Sequence, residues 1–196
     1  MADFIGNLMQ LMDITRKTGE LHEDIEKAAN LLAETVLNGG IIYVIGNGGS
    51  AADANHFTGE ILGRFKRERK GLAAASLTAD NATITAIAND YGFEYIFSRQ
   101  LEGLFNPKKD ILFSMSTSGN SKNIIKAIDY LDEINGKSVN LLGRDGGIIG
   151  KVAQSVPSEN ELNIIIPAQD SDRIQEMHKF ILHYFAEVIE ERWVNK

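Results

Sequence analysis

Apolar residues recur at helical spacing through the first 38 positions, at Phe4, Ile5, Leu8, Met9, Leu11 and Met12 and again at Ile25, Ala28, Leu31, Leu32, Val36 and Leu37. This is the pattern of two amphipathic helices, the second ended by Gly39-Gly40. The pattern then changes. Residues 41–45 form a short β-branched run of the kind buried on both faces in a parallel sheet, which stops at Gly46-Asn47-Gly48-Gly49-Ser50 before an alanine-rich helix over 51–62. Further strands are predicted over 72–77, 111–115, 139–142 and 162–166. They are separated by helices over 82–88, 93–105 and 122–131, with a long helix over 172–193 at the end. Residues 143–150 read as a glycine-rich turn. Strands alternating with helices imply right-handed crossovers and a parallel sheet covered on both faces. The predicted class is α/β: one domain over 1–196, a three-layer doubly wound sandwich, with 1–38 as an N-terminal helical extension suited to oligomerisation.

Composition narrows the function classes. At 196 residues, 43% hydrophobic and 24% charged, the chain is an ordinary globular domain rather than a disordered one. Its 20 basic and 27 acidic side chains leave a net charge of −7, which argues against a general nucleic-acid binder. Cysteine is absent, so any metal falls to His, Asp, Glu or Gln. No apolar run approaches the roughly 18 residues that span a bilayer, and the start lacks a basic segment leading into an apolar one. A cytoplasmic protein with neither membrane nor nucleic-acid partners is expected.

In a doubly wound sheet, ligands bind beyond the carboxyl ends of the strands. Two polar loops are predicted there. Ser116-Thr117-Ser118-Gly119-Asn120-Ser121 offers four hydroxyls and small residues whose N–H groups face an anion at a helix start, which suits a phosphate monoester. The plainer reading is a capped helix, but capping needs only one such residue. Residues 46–50 match neither the dinucleotide fingerprint nor a Walker A loop, and a tight strand-to-helix turn explains them equally well.

His56 and Glu60 lie four apart on one helix and share a face. Gln175 and His183 lie eight apart on the last helix, about 80° apart in projection. Two imidazoles, a carboxylate and an amide oxygen suit Zn²⁺ or a related divalent ion. Each has a structural alternative: His56 and Glu60 as a surface pair, His183 as a core histidine, and Asp172-x-x-Gln175 as a capping box. The run from Arg64 to Lys70 holds five cations in seven residues. It reads as a solvated loop, or as a source of one cation for a substrate phosphate.

Over residues 41–190 these segments resemble the phosphoheptose isomerases of the sugar-isomerase (SIS) fold. The resemblance rests on four segments: Gly46-Asn47-Gly48-Gly49-Ser50-Ala51-Ala52-Asp53-Ala54-Asn55-His56-Phe57, Ala88-Asn89-Asp90-Tyr91-Gly92-Phe93, the loop 116–121, and Arg173-Ile174-Gln175-Glu176-Met177-His178. The resemblance implies interconversion of sedoheptulose 7-phosphate and glycero-manno-heptose 7-phosphate. It also implies one zinc per subunit on His56, Glu60, Gln175 and His183, sugar contacts at Asn47, Gly48, Gly49, Asn89 and Asp90, and phosphate contacts at Ser116, Thr117, Ser118 and Ser121. Glu60 and Gln175 face the substrate as well. Members are homotetramers with sites at subunit interfaces. A rival relative is a non-enzymatic SIS adaptor that binds the replication initiator DnaA. It departs at the positions of Glu60, Ser118 and His183, all of which this chain keeps. For an aldose–ketose isomerase, Glu60 is the candidate base and His183 the candidate for proton exchange, through a metal-stabilised enediol(ate).

Overall fold

The apolar runs become five parallel strands: β1 (Ile42–Gly46), β2 (Ala74–Ser76), β3 (Ile111–Ser116), β4 (Lys137–Gly143) and β5 (Glu161–Ile166), ordered β2-β1-β3-β4-β5. The coordinates are a computed structural model that describes residues 3–196. β1 and β3 pair in register from Ile42↔Ile111 to Gly46↔Met115, and every residue of both is buried. From β1 the chain crosses to β2 on one side, and from β3 to β4 and β5 on the other. The crevice that such a reversal leaves therefore opens at the carboxyl ends of β1 and β3, where both polar loops begin.

The two sheet faces carry different helices. On one face Ile42, Val44, Phe113, Met115, Val139 and Leu141 pack under α2 (His22–Leu37), α3 (Gly49–Leu62) and α8 (Ser171–Val194). On the other, Tyr43, Ile45, Leu112 and Leu142 pack under α5 (Ser98–Leu104), α6 (Lys122–Glu133) and α7 (Gly147–Ser155). α4 (Asn81–Tyr91) lies over the second face with no residue buried. Within the N-terminal extension, α2 is built into the first layer through Ala28, Ala29, Leu32 and Ala33, whereas α1 (Phe4–Thr18) leaves Phe4, Ile5, Leu8, Met9 and Met12 exposed.

Two elements differ from the sequence expectation. The turn read over 143–150 ends in a helix, α7, because Gly146 and Gly147 take positive φ (81° and 61°) and so let the chain start a helix against Ile165 of β5. The helix expected over 93–105 is broken. Gly92 at φ 105° starts a single 3₁₀ turn, Phe93–Tyr95, and α5 begins only after Ile96 and Phe97 have been buried.

A polar ribbon crosses the second face. Asn140, fully buried, accepts from Ser114 Oγ (2.6 Å) and donates to Asn163 Oδ1 (2.9 Å) and Glu161 Oε1 (3.2 Å). Burial raises the Glu161 carboxyl above its ordinary 4.5, more than the bonds from Asn163 and Asn140 lower it, and nearby Asp132 adds to the rise. A raised acid binds its proton more tightly when folded, so its stabilising effect is full below pH 4.5 and is lost as pH rises through the folded value. Glu161→Gln is therefore expected to melt at a higher temperature than wild type at pH 7, with the difference closing below pH 4.5. Thermal melts across that range check this.

Candidate active site

α3 and α8 lie side by side in the same direction, so their residues meet in order. Gly49 faces Gln175, Asp53 pairs with Lys179 (Oδ1 to Nζ 2.5 Å), and His56 meets His183 (Nε2 to Nε2 2.8 Å). A side chain at Gly49 would fall 2.5 Å from the Gln175 amide nitrogen, so the bare glycine lets that amide rest against α3. Glu60, one turn beyond His56, places Oε1 3.4 Å from His56 Nε2. The ligand atoms of His56, Glu60 and His183 all lie within 4.8 Å of one another. Two imidazoles with a carboxylate are a donor set that zinc accepts. Gln175 stands eight residues before His183, about 12 Å along the helix. Its amide rests on Gly49, with the Asp53–Lys179 pair between it and the cluster.

Burial first, and His56 second, hold His183 below the ordinary imidazole value, while Glu60 pulls the other way. His183 is thus mainly neutral near pH 7, able to give or take a proton. The core histidine of this helix is instead His178, fully buried, with Nε2 3.1 Å from Leu142 O and its pKa lowered to about 4 by burial.

The phosphate-type loop is shaped by its own hydroxyls. Ser116 Oγ accepts from Gly119 N (3.0 Å) and lies 3.4 Å from Ser121 Oγ, while Ser118 Oγ accepts from Asn120 N (3.2 Å). Ser121 occupies the cap position of α6, yet its side chain makes no capping bond. The plain capping role is therefore not what this hydroxyl does. Asn47 and Asn123 exchange a reciprocal pair of bonds (2.9 and 2.8 Å) that ties the glycine loop to the start of α6. Asn47, Phe93, Glu94, Ser121, Lys122 and Asn123 line a cleft of about 290 Å³ there.

The sequence profile of the SIS domain matches residues 3–143. The phosphoheptose isomerase of Helicobacter hepaticus is 48% identical over 166 residues, covering 85% of this chain and 81% of that one. The chain belongs to the SIS-domain family, in its phosphoheptose isomerase branch. The Helicobacter pylori (strain P12) phosphoheptose isomerase is 46% identical over 90% of the chain and 88% of its own length. Among solved structures, the phosphoheptose isomerase of Francisella tularensis superposes with a TM-score of 0.88 at 34% identity, covering 95% of each chain. That of Neisseria gonorrhoeae gives 0.86 at 35%, covering 95% of this chain and 96% of the other.

In this SIS domain the cationic run is largely exposed, as a solvated loop is, but its backbone and Arg69 are held in place. It is a strap fastened to α8. Glu190 accepts from the backbone N–H groups of Phe65, Lys66 and Arg67 (3.0, 2.8 and 2.8 Å) and stands 3.3 Å from Arg69 Nε, with both side chains 2% exposed. Burial acts to raise the Glu190 carboxyl, but the three backbone donors and Arg69 hold it below its ordinary value. Arg69 in turn donates to the carbonyls of Glu60, Ile61 and Gly63, which end α3. Phe65 stacks on His183, with ring centroids 5.8 Å apart and planes 18° apart. The strap thus positions both Glu60 and His183. Sequence reading found the cations but not their partner Glu190. The available signal was one carboxylate beside Val188 and Ile189 on an otherwise apolar helix face. It also passed over Asn123, Phe93 and Glu94. Asn89 and Asp90 are exposed at the end of α4, bonded to each other (Nδ2 to Oδ1 2.9 Å), while the cleft wall is formed by Phe93 and Glu94 just beyond them.

Proposed function

We propose that this chain interconverts sedoheptulose 7-phosphate and D-glycero-D-manno-heptose 7-phosphate in the cytoplasm, the first step of bacterial heptose biosynthesis. The observation that carries the reading is the meeting of Glu60 with His183, residues 123 positions apart in sequence, in one cluster with His56. Moving a carbonyl from C2 to C1 requires loss of a proton from C1, an enediol(ate), and return of a proton to C2. Glu60 takes the C1 proton as general base. His183, held neutral, shuttles the proton between the two oxygens. His56, Glu60 and His183 would hold zinc, one ion per subunit, and it would supply Lewis-acid polarisation of the carbonyl. Gln175, expected from the sequence as a fourth ligand, rests on Gly49 instead and would not join them within one subunit. The hydroxyls of Ser116, Thr117, Ser118 and Ser121 hold the phosphate, and Asn47, Gly48, Gly49, Asn89, Asp90 and Gln175 contact the sugar.

A homotetramer with sites at subunit interfaces fits the placement of these parts. The phosphate loop opens toward α6 on one sheet face, whereas the cluster sits about two turns down α3 on the other face. The exposed apolar stripe of α1 and the unburied α4 are surfaces that copies would cover.

Ser118→Ala and Ser121→Ala are expected to raise KM for the heptulose phosphate severalfold or more with the fold intact. Steady-state kinetics of both variants check this, and an unchanged KM in both contradicts the phosphate assignment. Chelation is expected to remove activity and zinc to restore it, measured as turnover against bound metal. Full activity of the metal-free protein contradicts the zinc assignment. The reading as a whole is tested by incubating the metal-analysed protein with sedoheptulose 7-phosphate and resolving aldose from ketose. Absence of aldose moves the reading to a non-enzymatic SIS adaptor.

A further inference from the structure

Building on the reading of loop 116–121 as the phosphate cradle, we infer that Arg144 is the cation that draws in and holds the phosphate dianion there. The cradle has hydroxyls and N–H groups but no charge of its own. The turn after β4 is packed directly on it: Ile149 N donates to Gly119 O (3.2 Å), Ile148 N donates to Asn120 Oδ1 (2.9 Å), and the Gly146 carbonyl fills the space where a side chain at Gly119 would lie. Arg144 belongs to this turn.

Its backbone is unusual. Arg144 sits at φ 58°, in the left-handed region that a residue with a Cβ enters at a cost, although the turn already contains three glycines, Gly143, Gly146 and Gly147. A strained seat kept by a charged side chain at the carboxyl rim of the sheet points to a task for that side chain. The guanidinium reaches back along the rim. Nε donates to Gln169 O (3.2 Å) and Nη2 to Ser171 Oγ (3.4 Å), and the same Ser171 oxygen accepts from Thr117 Oγ1 of the cradle (3.4 Å). One hydroxyl therefore separates the guanidinium from the loop. No ion pair holds Arg144 among the described residues.

Neighbouring cations are engaged elsewhere. Arg173 is tied to Glu176, Asn7 and Gln10, and the strap cations face α8, Glu68 or Trp193. Lys122 borders the cleft from the α6 side and is the comparison residue. The planar fork of an arginine matches two oxygens of a phosphate, so the ligand class is a phosphate monoester dianion rather than a neutral sugar.

The test is calorimetric titration of inorganic phosphate into the zinc-loaded wild type and into Arg144→Gln, Arg144→Lys and Arg144→Gly, with Tm for each and KM for the sugar phosphate. Arg144→Gln and Arg144→Gly are expected to weaken phosphate binding at least tenfold and to raise KM in proportion. Arg144→Lys retains an intermediate affinity. Arg144→Gly is expected to keep or raise Tm, because glycine takes φ 58° without strain. A merely structural Arg144 would instead lower Tm in step with affinity, and that result overturns the inference, as does wild-type affinity in Arg144→Gln or a larger loss in Lys122→Gln. The cradle is read separately. If Ser118→Ala with Ser121→Ala abolishes phosphate binding while Arg144→Gln does not, Arg144 fails and the cradle stands. If neither loses affinity, or wild type binds no phosphate, both fail.

Discussion

Replacing Glu60 by Gln is expected to lower kcat for sedoheptulose 7-phosphate by about two to four orders of magnitude, the usual size of a lost general base. Gln keeps an oxygen at the place where Glu60 Oε1 stands 3.4 Å from His56, so metal content should hold while basicity is lost. Folding should also hold, since the strap grips the Glu60 backbone carbonyl through Arg69 rather than its carboxylate. His183→Asn is expected to abolish turnover as well, because it removes the imidazole that stacks on Phe65 and meets His56 in the cluster. The check is a pair of measurements on each variant, kcat and Tm. Lost activity with an unchanged Tm supports the roles given to both residues, and an active Glu60→Gln removes Glu60 as the base.

Glu190→Ala is expected to produce the largest loss of stability of any single change discussed. It leaves Arg69 charged and 2% exposed with its ion partner gone, and leaves three backbone N–H groups of the strap without an acceptor. Breaking one side of a buried pair costs about 3–5 kcal/mol. For a chain of this length that is a fall in Tm of roughly 6–20 °C. The adjacent Glu191 is exposed and serves as the control, its alanine variant staying within about 0.5 kcal/mol. Because the folded Glu190 is held below its ordinary 4.5, its contribution is present above that pH and is lost as pH falls through the lowered value. The gap between wild type and Glu190→Ala should therefore narrow in acid. Thermal melts at neutral and acid pH check both statements.

What the sequence made legible follows from which interactions are local. β1 and β3 were readable because their residues are apolar on both faces, which leaves no helical alternative over so short a run. α3, α6 and α8 were readable from periodicity and from the loops that start them. α7 was not, because Gly146, Gly147 and Gly150 are turn signals in isolation and become a helix start only against Ile165 of β5. In the site, the spacing of His56 and Glu60 placed them on one face, but nothing local says that His183 meets them. That contact is set by the packing of α3 on α8. The position of Gln175 on Gly49 and the fastening of residues 64–70 by Glu190 are likewise long-range, and charge counting along the chain saw cations where the fold has closed ion pairs.

The proposed reaction turns on removal of the C1 proton of a heptulose phosphate by Glu60. The most direct measurement is the reaction of sedoheptulose 7-phosphate with the zinc-loaded protein in D₂O, following aldose formation and deuterium at C2 of the product by NMR. The predicted result is aldose heptose 7-phosphate with wild type, carrying deuterium at C2 to the extent that the proton on Glu60 exchanges with solvent, and neither product nor label over the same time with Glu60→Gln. Aldose formed equally fast by Glu60→Gln, or no aldose from the wild type, would contradict it.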